Sequence, residues 1–381
     1  MTRPTRGATR VGMVAARCRP EIGGIEAHVG EVAGRLAGRG IEVEVLTTDR
    51  SGRLPRVERV GGAGGYVVRR FRAWPRERDW YLSPGLAWAV LRGRHDLVHV
   101  QGVHTLVPPL AMLAALARRA PYVLTFHTGG SSSALRERSR GLQFRLLAPL
   151  LRRAATLVGV SVFEARRFDD VLGEPGRVRL VRNGGTLPPV ASAPVPDPDL
   201  VLSVGRLERY KGHHRAVAAL PHLLERRPGA RLEILGSGPY EPELRALAAE
   251  LGVADRVTIR FVPPTDRAAM AATLAGAGVV VLLSDYEAHP VAVMEALAAG
   301  RPVVVSRTSG LTELAEAGWA RAVEPDADAA TTAAAIAAQL ADPVQPPASA
   351  LPTWEDCVDG LVDVYDTALA REGRAVVVAA G

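Results

Sequence analysis

A strand–helix alternation runs through the first half of this chain, stops at a proline-rich stretch, and starts again. Short apolar runs recur at 11–16, 43–47, 66–71, 97–100, 122–126 and 157–160. Helical stretches read at 24–39, 106–119 and 138–153. Apolar runs that could be covered on both faces, with helices between them, predict a parallel, doubly wound sheet. Residues 187–200, LPPVASAPVPDPDL, hold too much proline for a helix or an inner strand and read as a linker. Beyond it, strands read at 200–205, 231–235, 257–261, 279–283 and 303–306, with helices at 213–226, 241–251 and 291–299. The Ala/Asp-rich stretch 326–342 reads as a surface helix, and 354–370 as a final amphipathic helix.

The expected fold class is therefore α/β, with two Rossmann-like doubly wound domains facing a cleft. The first spans 1–190, joined by 356–381 as the C-terminal helix crosses back, and the second spans 191–355. Ligands of such sheets sit beyond the carboxyl ends of the strands, so functional residues are expected on loops that follow strands.

Composition narrows the class. The chain is 48% hydrophobic but only 5% aromatic, and its apolar content is mainly Ala, Val and Leu, which favours α/β over an all-β sandwich. No window of eighteen uncharged apolar residues is present, and the run at 11–16 is too short for a signal-peptide core. Cys18 and Cys357 lie far apart and form no metal or disulfide pattern. A cytoplasmic protein is expected, peripheral to the membrane at most.

Charge is unevenly divided. Residues 1–195 carry a balance of +16 and residues 196–381 a balance of −9. The basic half points to an anionic partner, either a phosphate-bearing acceptor or an anionic membrane surface; the alternative is a solvated, arginine-rich face. It carries no nucleic-acid-binding motif. Lys211 is the only lysine and Asn183 the only asparagine. Codon bias explains why both types are rare, but not why one lysine stands where arginine was the easy choice. A lysine there suits a site that needs a compact ammonium rather than a flat fork.

That lysine lies in Gly205-Arg206-Leu207-Glu208-Arg209-Tyr210-Lys211-Gly212, between a strand and a helix. Arg206 and Lys211 can both point at one anion across such a loop, unless it is an ordinary exposed charged loop. A second loop, from Ser284 through Glu287, Ala288, His289 and Pro290, opens a helix at Val291 and Ala292, with Glu295 one turn in. The first amides of that helix can hold a diphosphate. Glu295 can accept from a ribose diol, or else only complement the helix dipole, and Glu287 can bind sugar hydroxyls. In the first half, Gly23-Gly24 lets the backbone approach a ligand closely, and Thr125-Phe126-His127-Thr128 places His127 at a strand end. His99 and His104 are taken as cleft-lining at best, and Asn183-Gly184 as a structural turn near the hinge.

These pieces together resemble glycosyltransferase family 4, retaining enzymes of the GT-B fold. The resemblance rests on Gly23-Gly24, the Thr-Phe-His-Thr at 125–128, Asn183-Gly184 and the Gly205-Arg206…Lys211-Gly212 loop. It continues through Leu235-Gly236-Ser237-Gly238-Pro239, the pair Glu287 and Glu295 eight residues apart, and Glu295-Ala296-Leu297-Ala298-Ala299-Gly300-Arg301-Pro302. It implies a hexosyltransferase that takes a nucleotide-sugar donor as substrate, with no cofactor and no metal. Arg206 and Lys211 would neutralise the donor diphosphate, and Glu295 would bind the ribose. Glu287 and the amides of Ala288 to Ala292 would hold the sugar and phosphate. Gly23-Gly24, Gly24 above all, would meet the diphosphate, and His127 the transferred sugar. Two departures stand out: Thr308-Ser309-Gly310-Leu311-Thr312-Glu313 lacks the usual Gly-Gly, and Gly185-Thr186 replaces a common Val-Asp.

The acceptor is expected on the first domain and to be anionic or lipid-linked, with the Arg/Trp-rich stretch 69–80 as a candidate contact. The only Asp-x-Asp near an expected site, Asp197-Pro198-Asp199, falls in the linker. A nucleotide-sugar epimerase or a phosphorylase on the same fold is the rival reading; the first would turn over donor without acceptor, and the second normally needs pyridoxal phosphate.

Overall fold

In the computed structural model, the described residues are 8–21, 23–62, 64–77, 80–128, 134–190 and 194–378, with side chains left out of the description at 134–140. The chain divides into two units. One comprises Met1–Thr128, Arg138–Arg182 and Trp354–Gly381, and the other is built on Asn183–Thr353. The division at Arg182 precedes the proline-rich stretch, so residues 183–190 go with the second unit rather than the first.

In the first unit β1 (Arg10–Ala15) leads to α1 (Gly24–Gly38), β2 (Glu42–Asp49), β3 (Val57–Val60) and β4 (Tyr66–Arg72). Then follow α2 (Pro84–Arg92), β5 (Leu97–Gln101), α3 (Val107–Ala117), β6 (Tyr122–Thr125), α4 (Ala134–Arg153), β7 (Thr156–Gly159), α5 (Val162–Leu172) and β8 (Val178–Leu180). The sheet has eight strands in the order β3-β4-β2-β1-β5-β6-β7-β8. All pairings are parallel except β3 against β4, an antiparallel edge that the apolar pattern did not announce because Val57–Val60 is exposed and polar. Central strands are buried on both faces: after Arg10, every residue of β1 is covered.

The second unit runs β9 (Asp197–Val204), α6 (His213–Arg226), β10 (Arg231–Leu235), α7 (Glu241–Glu250), β11 (Val257–Arg260), α8 (Arg267–Gly276) and β12 (Ala277–Leu282). It continues with α9 (Val291–Ala298), β13 (Val303–Ser306), α10 (Ser309–Glu316), β14 (Arg321–Val323) and α11 (Ala329–Ala341). Its six strands lie in the order β11-β10-β9-β12-β13-β14, all parallel. One expectation changes here. Asp197 already belongs to β9, so the linker ends earlier than its prolines suggest. The helix read at 326–342 is α11, which buries Thr332, Ala333, Ile336 and Gln339 along one face and packs on α6, as its small alanines permit at close range.

The last helix, α12 (Trp354–Ala370), belongs to the first unit, as expected. It buries Trp354, Cys357, Val358, Leu361, Val364 and Tyr365, while Arg35 and Arg39, at the carboxyl end of α1, pair with Glu355 at 2.9 and 2.8 Å. Such half-exposed pairs contribute about 0–1 kcal/mol each, so the apolar face holds the helix.

Candidate functional site

In the second unit the site is built at the carboxyl ends of β9 and β12. After β9 the chain turns at Gly205 and reaches Gly212, which has φ 74° and touches the carbonyl of Leu283 at the end of β12. A Cβ at Gly212 would fall 1.8 Å from that oxygen, so only glycine lets the loop close onto the neighbouring strand end. The closure delivers Lys211 to Glu287: Nζ donates to Oε1 at 2.5 Å. Ser284 Oγ donates to the same oxygen at 2.9 Å. Burial by itself would lower the Lys211 pKa, but Glu287 and Tyr210 outweigh it and raise the pKa, so the ammonium is charged at neutral pH.

Arg206 comes to the same place by another route. Its guanidinium donates to Tyr210 Oη at 2.8 Å and pairs with Glu208 at 2.6 Å, while the Lys211 ammonium lies 5.3 Å from the Tyr210 ring centroid. The two cations therefore flank one buried phenol that sequence reasoning did not single out. His213 holds the loop from beneath. Burial lowers its pKa to about 4, so the ring is neutral: Nδ1 lies 2.8 Å from Ser203 Oγ, and Nε2 donates to the Arg206 carbonyl at 3.2 Å.

α9 opens directly beyond Glu287. Val293 and Met294 donate to the carbonyl of Pro290, which leaves the amides of Val291 and Ala292 without an intrahelical acceptor at the positive end of the helix. Ala288, His289 and Val291 are buried around this turn. Among the amides expected to hold a phosphate, Pro290 is a correction: it has no N–H and serves as the N-cap.

The backbone of Glu287 is braced by residues in the departing segment. Its amide donates to Ser309 Oγ at 2.8 Å, and its carbonyl accepts from the Gly310 amide at 2.8 Å. Thr308 Oγ1 adds a bond to the Asp285 carbonyl at 2.9 Å. Ser309 has φ 45°, a backbone that favours glycine, which accounts for the usual Gly-Gly here. The departure itself was the signal that these residues matter.

Glu295 stands one turn into α9. It is buried and ion-paired with Arg267, the first residue of α8, a helix that sequence reasoning passed over. Asn183 is structural, as expected, and its role is specific: Nδ2 donates to the His289 carbonyl at 3.1 Å. Gly185 presses on α9, since a Cβ there would meet the Met294 backbone at 2.3 Å. The missing Val-Asp thus makes way for a close backbone approach. Asp197 and Asp199 lie at the amino end of β9, away from the loops just described. Asp197 pairs with Arg231, and Asp199 with Arg227 at 3.1 Å.

In the first unit the expected residues lie at the ends of β1 and β6. Gly23 is the extended N-cap of α1, and a Cβ placed on Gly24 would meet nothing within 4 Å. His127 follows β6. Its Nε2 lies 2.8 Å from Gln101 Oε1, its carbonyl accepts from His104 Nε2, and the His28 ring stands 4.6 Å away. Burial first, and then His28, His99 and His104, push its pKa well below the usual value, so His127 is neutral at pH 7. His99 is no cleft-lining residue. It is fully buried on β5, bonded to Thr125 Oγ1 and Tyr365 Oη at 2.7 Å each, and burial lowers its pKa to about 3.

Glu164, also missed, fixes the His127 loop by accepting from the Thr128 amide and hydroxyl at 2.7 Å each and from the Val160 amide at 3.1 Å. Ser161-x-x-Glu164 is a readable capping signature, and Ser161 does cap α5. Of the stretch 69–80, Arg70 is structural: it is buried, pairs with Glu58 at 2.7 Å and donates to the carbonyls of Pro55 and Arg19. Arg69 pairs with Glu44 at 3.1 Å. Arg72, Trp74, Arg76 and Trp80 are exposed, and Arg78 lies outside the described residues.

Residues 22–185 match the family model Glycosyltransferase Family 4, and residues 190–350 match Glycosyl transferases group 1. The D-inositol 3-phosphate glycosyltransferase of Acidothermus cellulolyticus is 33% identical, with 96% of this chain and 92% of that protein covered. A glycogen synthase of Mycobacterium tuberculosis is 30% identical, with 84% and 83% covered. Among solved structures, sucrose-phosphate synthase from Thermosynechococcus elongatus matches with a TM-score of 0.78 at 23% identity, covering 95% of this chain and 100% of that one. Anabaena HepE in complex with UDP-glucose gives 0.69 at 20% identity, with 93% and 99% covered. The chain belongs to glycosyltransferase family 4 and has the GT-B fold.

Proposed function

We propose that this glycosyltransferase moves a hexose from a UDP- or GDP-sugar to a hydroxyl of a small-molecule, lipid-linked or glycan acceptor, with retention at the anomeric carbon and without a metal ion. The observation that carries this reading is the Lys211–Glu287 contact of 2.5 Å, beside Arg206 and the first turn of α9. Breaking the bond from the anomeric carbon to the diphosphate builds negative charge on the leaving group. A charged lysine, an arginine and two helix amides without an intrahelical acceptor are the groups that stabilise such charge. Asp197 and Asp199 are each engaged by an arginine at the other end of β9, which argues against their use as metal ligands. Glu287 Oε1 is shared by Lys211 and Ser284, and this favours an anchoring role over that of a covalent nucleophile. On this reading the acceptor oxygen attacks from the face the diphosphate leaves, the new glycosidic bond forms as the bond to phosphate breaks, and the acceptor proton passes to the departing phosphate oxygen.

The name of the Acidothermus relative points to a phosphorylated acceptor, and the UDP-glucose complex of HepE to a uridine donor. A phosphorylated acceptor is consistent with the +16 balance of residues 1–195. Among the described residues no helix is long and apolar enough to cross a membrane.

Calorimetric titration with UDP, GDP, ADP and dTDP in EDTA, on wild type and Lys211→Ala, tests the reading. Tight binding of one nucleotide, greatly weakened by the substitution, is expected. Binding that requires a divalent ion would end the metal-free reading. Donor turnover without acceptor would favour the epimerase alternative, and turnover dependent on pyridoxal phosphate the phosphorylase.

A further inference from the structure

The first unit is polarised across its sheet. α2, α3, α4 and α5 connect β4 to β5, β5 to β6, β6 to β7 and β7 to β8, and all four connections step toward the same sheet edge. Right-handed crossovers that step one way place their helices on one face. A shared core agrees: Leu86 and Val90 of α2, Ala111 and Met112 of α3, and Phe144 and Leu151 of α4 belong to one buried cluster. α1 steps the other way and packs with α12 on the opposite face.

α12 and the helices α2, α3 and α4 carry opposite chemistry. α12 holds five carboxylates, from Glu355 to Asp366, and no lysine or arginine. The segments 84–94, 107–119 and 141–153 contain seven arginines and no acidic residue; the acidic residues of that layer are Glu137 in the first turns of α4 and Glu164, Asp169 and Asp170 on α5, at the edge of the sheet. Not all of the seven face solvent: Arg118 donates to the carbonyls of Val90, Gly93 and His95, and Arg152 meets Glu174. Arg92, Arg145 and Arg153 are exposed.

Apolar side chains project from the same layer. Trp88, Leu142 and Leu146 are each more than half exposed, and Leu113 half so. Leu142 and Leu146 stand one turn apart with Arg145 between them, and the Arg92 guanidinium lies 4.6 Å over the Trp88 ring. Trp74 and Trp80, also more than half exposed, flank the start of α2. Indoles, leucines and arginines together on α2, α3 and α4 fit a bilayer interface: apolar groups enter the headgroup boundary and cations meet lipid phosphates.

We propose that the α2–α3–α4 layer docks the enzyme on an anionic phospholipid surface. The proposal deepens the transferase reading by naming the partner of its basic half, yet docking is measured without donor or acceptor, so each can fail without the other.

The test is co-sedimentation of the full chain with vesicles of phosphatidylglycerol or of phosphatidylcholine, at low and high salt. Binding to phosphatidylglycerol alone, weakened by salt, is expected. The triple variant Leu142→Ser, Arg145→Ser, Leu146→Ser should bind about tenfold less or weaker still, with nucleotide affinity and helical circular dichroism unchanged. Trp88→Phe serves as the conservative control; it should keep binding but lose part of the fluorescence quenching given by brominated phosphatidylglycerol. The proposal is overturned by equal binding to both lipids, by no binding to phosphatidylglycerol, or by full binding of the folded triple variant. It is also overturned if the triple variant instead abolishes a self-association of the wild type, which would make this face an interface between copies.

Discussion

The Lys211 ammonium and the Glu287 carboxylate meet at 2.5 Å across two loops that follow different strands of one sheet. Both side chains are largely covered, and Ser284 fixes the shared oxygen from the third side. An arginine would keep the charge but bring a planar fork into a corner shaped for a compact group. Lys211→Arg should therefore bind the nucleotide diphosphate about tenfold more weakly and Lys211→Ala about a hundredfold more weakly, by calorimetry. Wild-type affinity in Lys211→Arg would remove the significance of the lone lysine.

Arg267 and Glu295 form a pair whose carboxylate is 4% exposed. If the pair presents Glu295 to a ribose diol, its loss should be felt by ribonucleotides and not by 2′-deoxy analogues. Arg267→Ala should weaken the cognate ribonucleoside diphosphate by about tenfold and leave the deoxy form nearly unchanged, so the preference between them collapses. Equal losses for both would reduce the pair to a clamp between α8 and α9.

Ser309 combines an unfavourable backbone with a useful hydroxyl. A left-handed φ costs a serine about 1–2 kcal/mol, and its bond from the Glu287 amide returns about 1 kcal/mol. Ser309→Gly removes both terms and should leave stability nearly unchanged. Ser309→Ala keeps the strain and loses the bond, and should destabilise by about 1 kcal/mol in urea titrations. A larger loss in the glycine variant would contradict this balance.

Acid should weaken the fold in a definite window. Burial holds His99 at about 3 and His213 at about 4, whereas an unfolded chain binds those protons near pH 6.5. Between about 6.5 and 4 the unfolded state alone is protonated at both sites, so stability is full above that range and is lost as pH falls through it. At pH 5 each histidine contributes about 2 kcal/mol of this loss. The urea midpoint should fall from pH 7 to pH 5, and fall less in His213→Gln than in wild type. Parallel slopes would show that His213 is not the group responsible.

Much of this architecture was readable because buried parallel strands need continuous apolar runs: β10, α6 and β13 fall where the periodicity puts them. The misses have physical causes. β3, Val-Glu-Arg-Val, is an exposed edge strand that shows no continuous apolar run, and α8 is so rich in alanine that its buried face has little contrast with its exposed one. In the site, loops anchored to strand ends could be found from chain order, which brought Arg206, Lys211 and Glu287 together correctly. Their supports were harder to read: Arg267 acquires a role only through a tertiary contact that no local spacing encodes, Ser309 is marked only by its departure from the usual Gly-Gly, and Tyr210 passes unnoticed between Arg206 and Lys211. His99 shows the converse: a histidine near others in sequence proved to be a core residue, satisfied from both sides by Thr125 and Tyr365.

The placement of α12 in the first unit has a consequence for the order of events at the ribosome. His99 finds one of its two partners, Tyr365, and His28 packs on Trp354, only after the segment Asn183–Thr353 has been made. The segment Asn183–Thr353 emerges as an uninterrupted stretch and has its sheet complete before α12 appears. Residues 1–182, synthesised before that stretch, must wait with a sheet face that α1 covers only in part, so of the two units the one begun earlier is the one completed later.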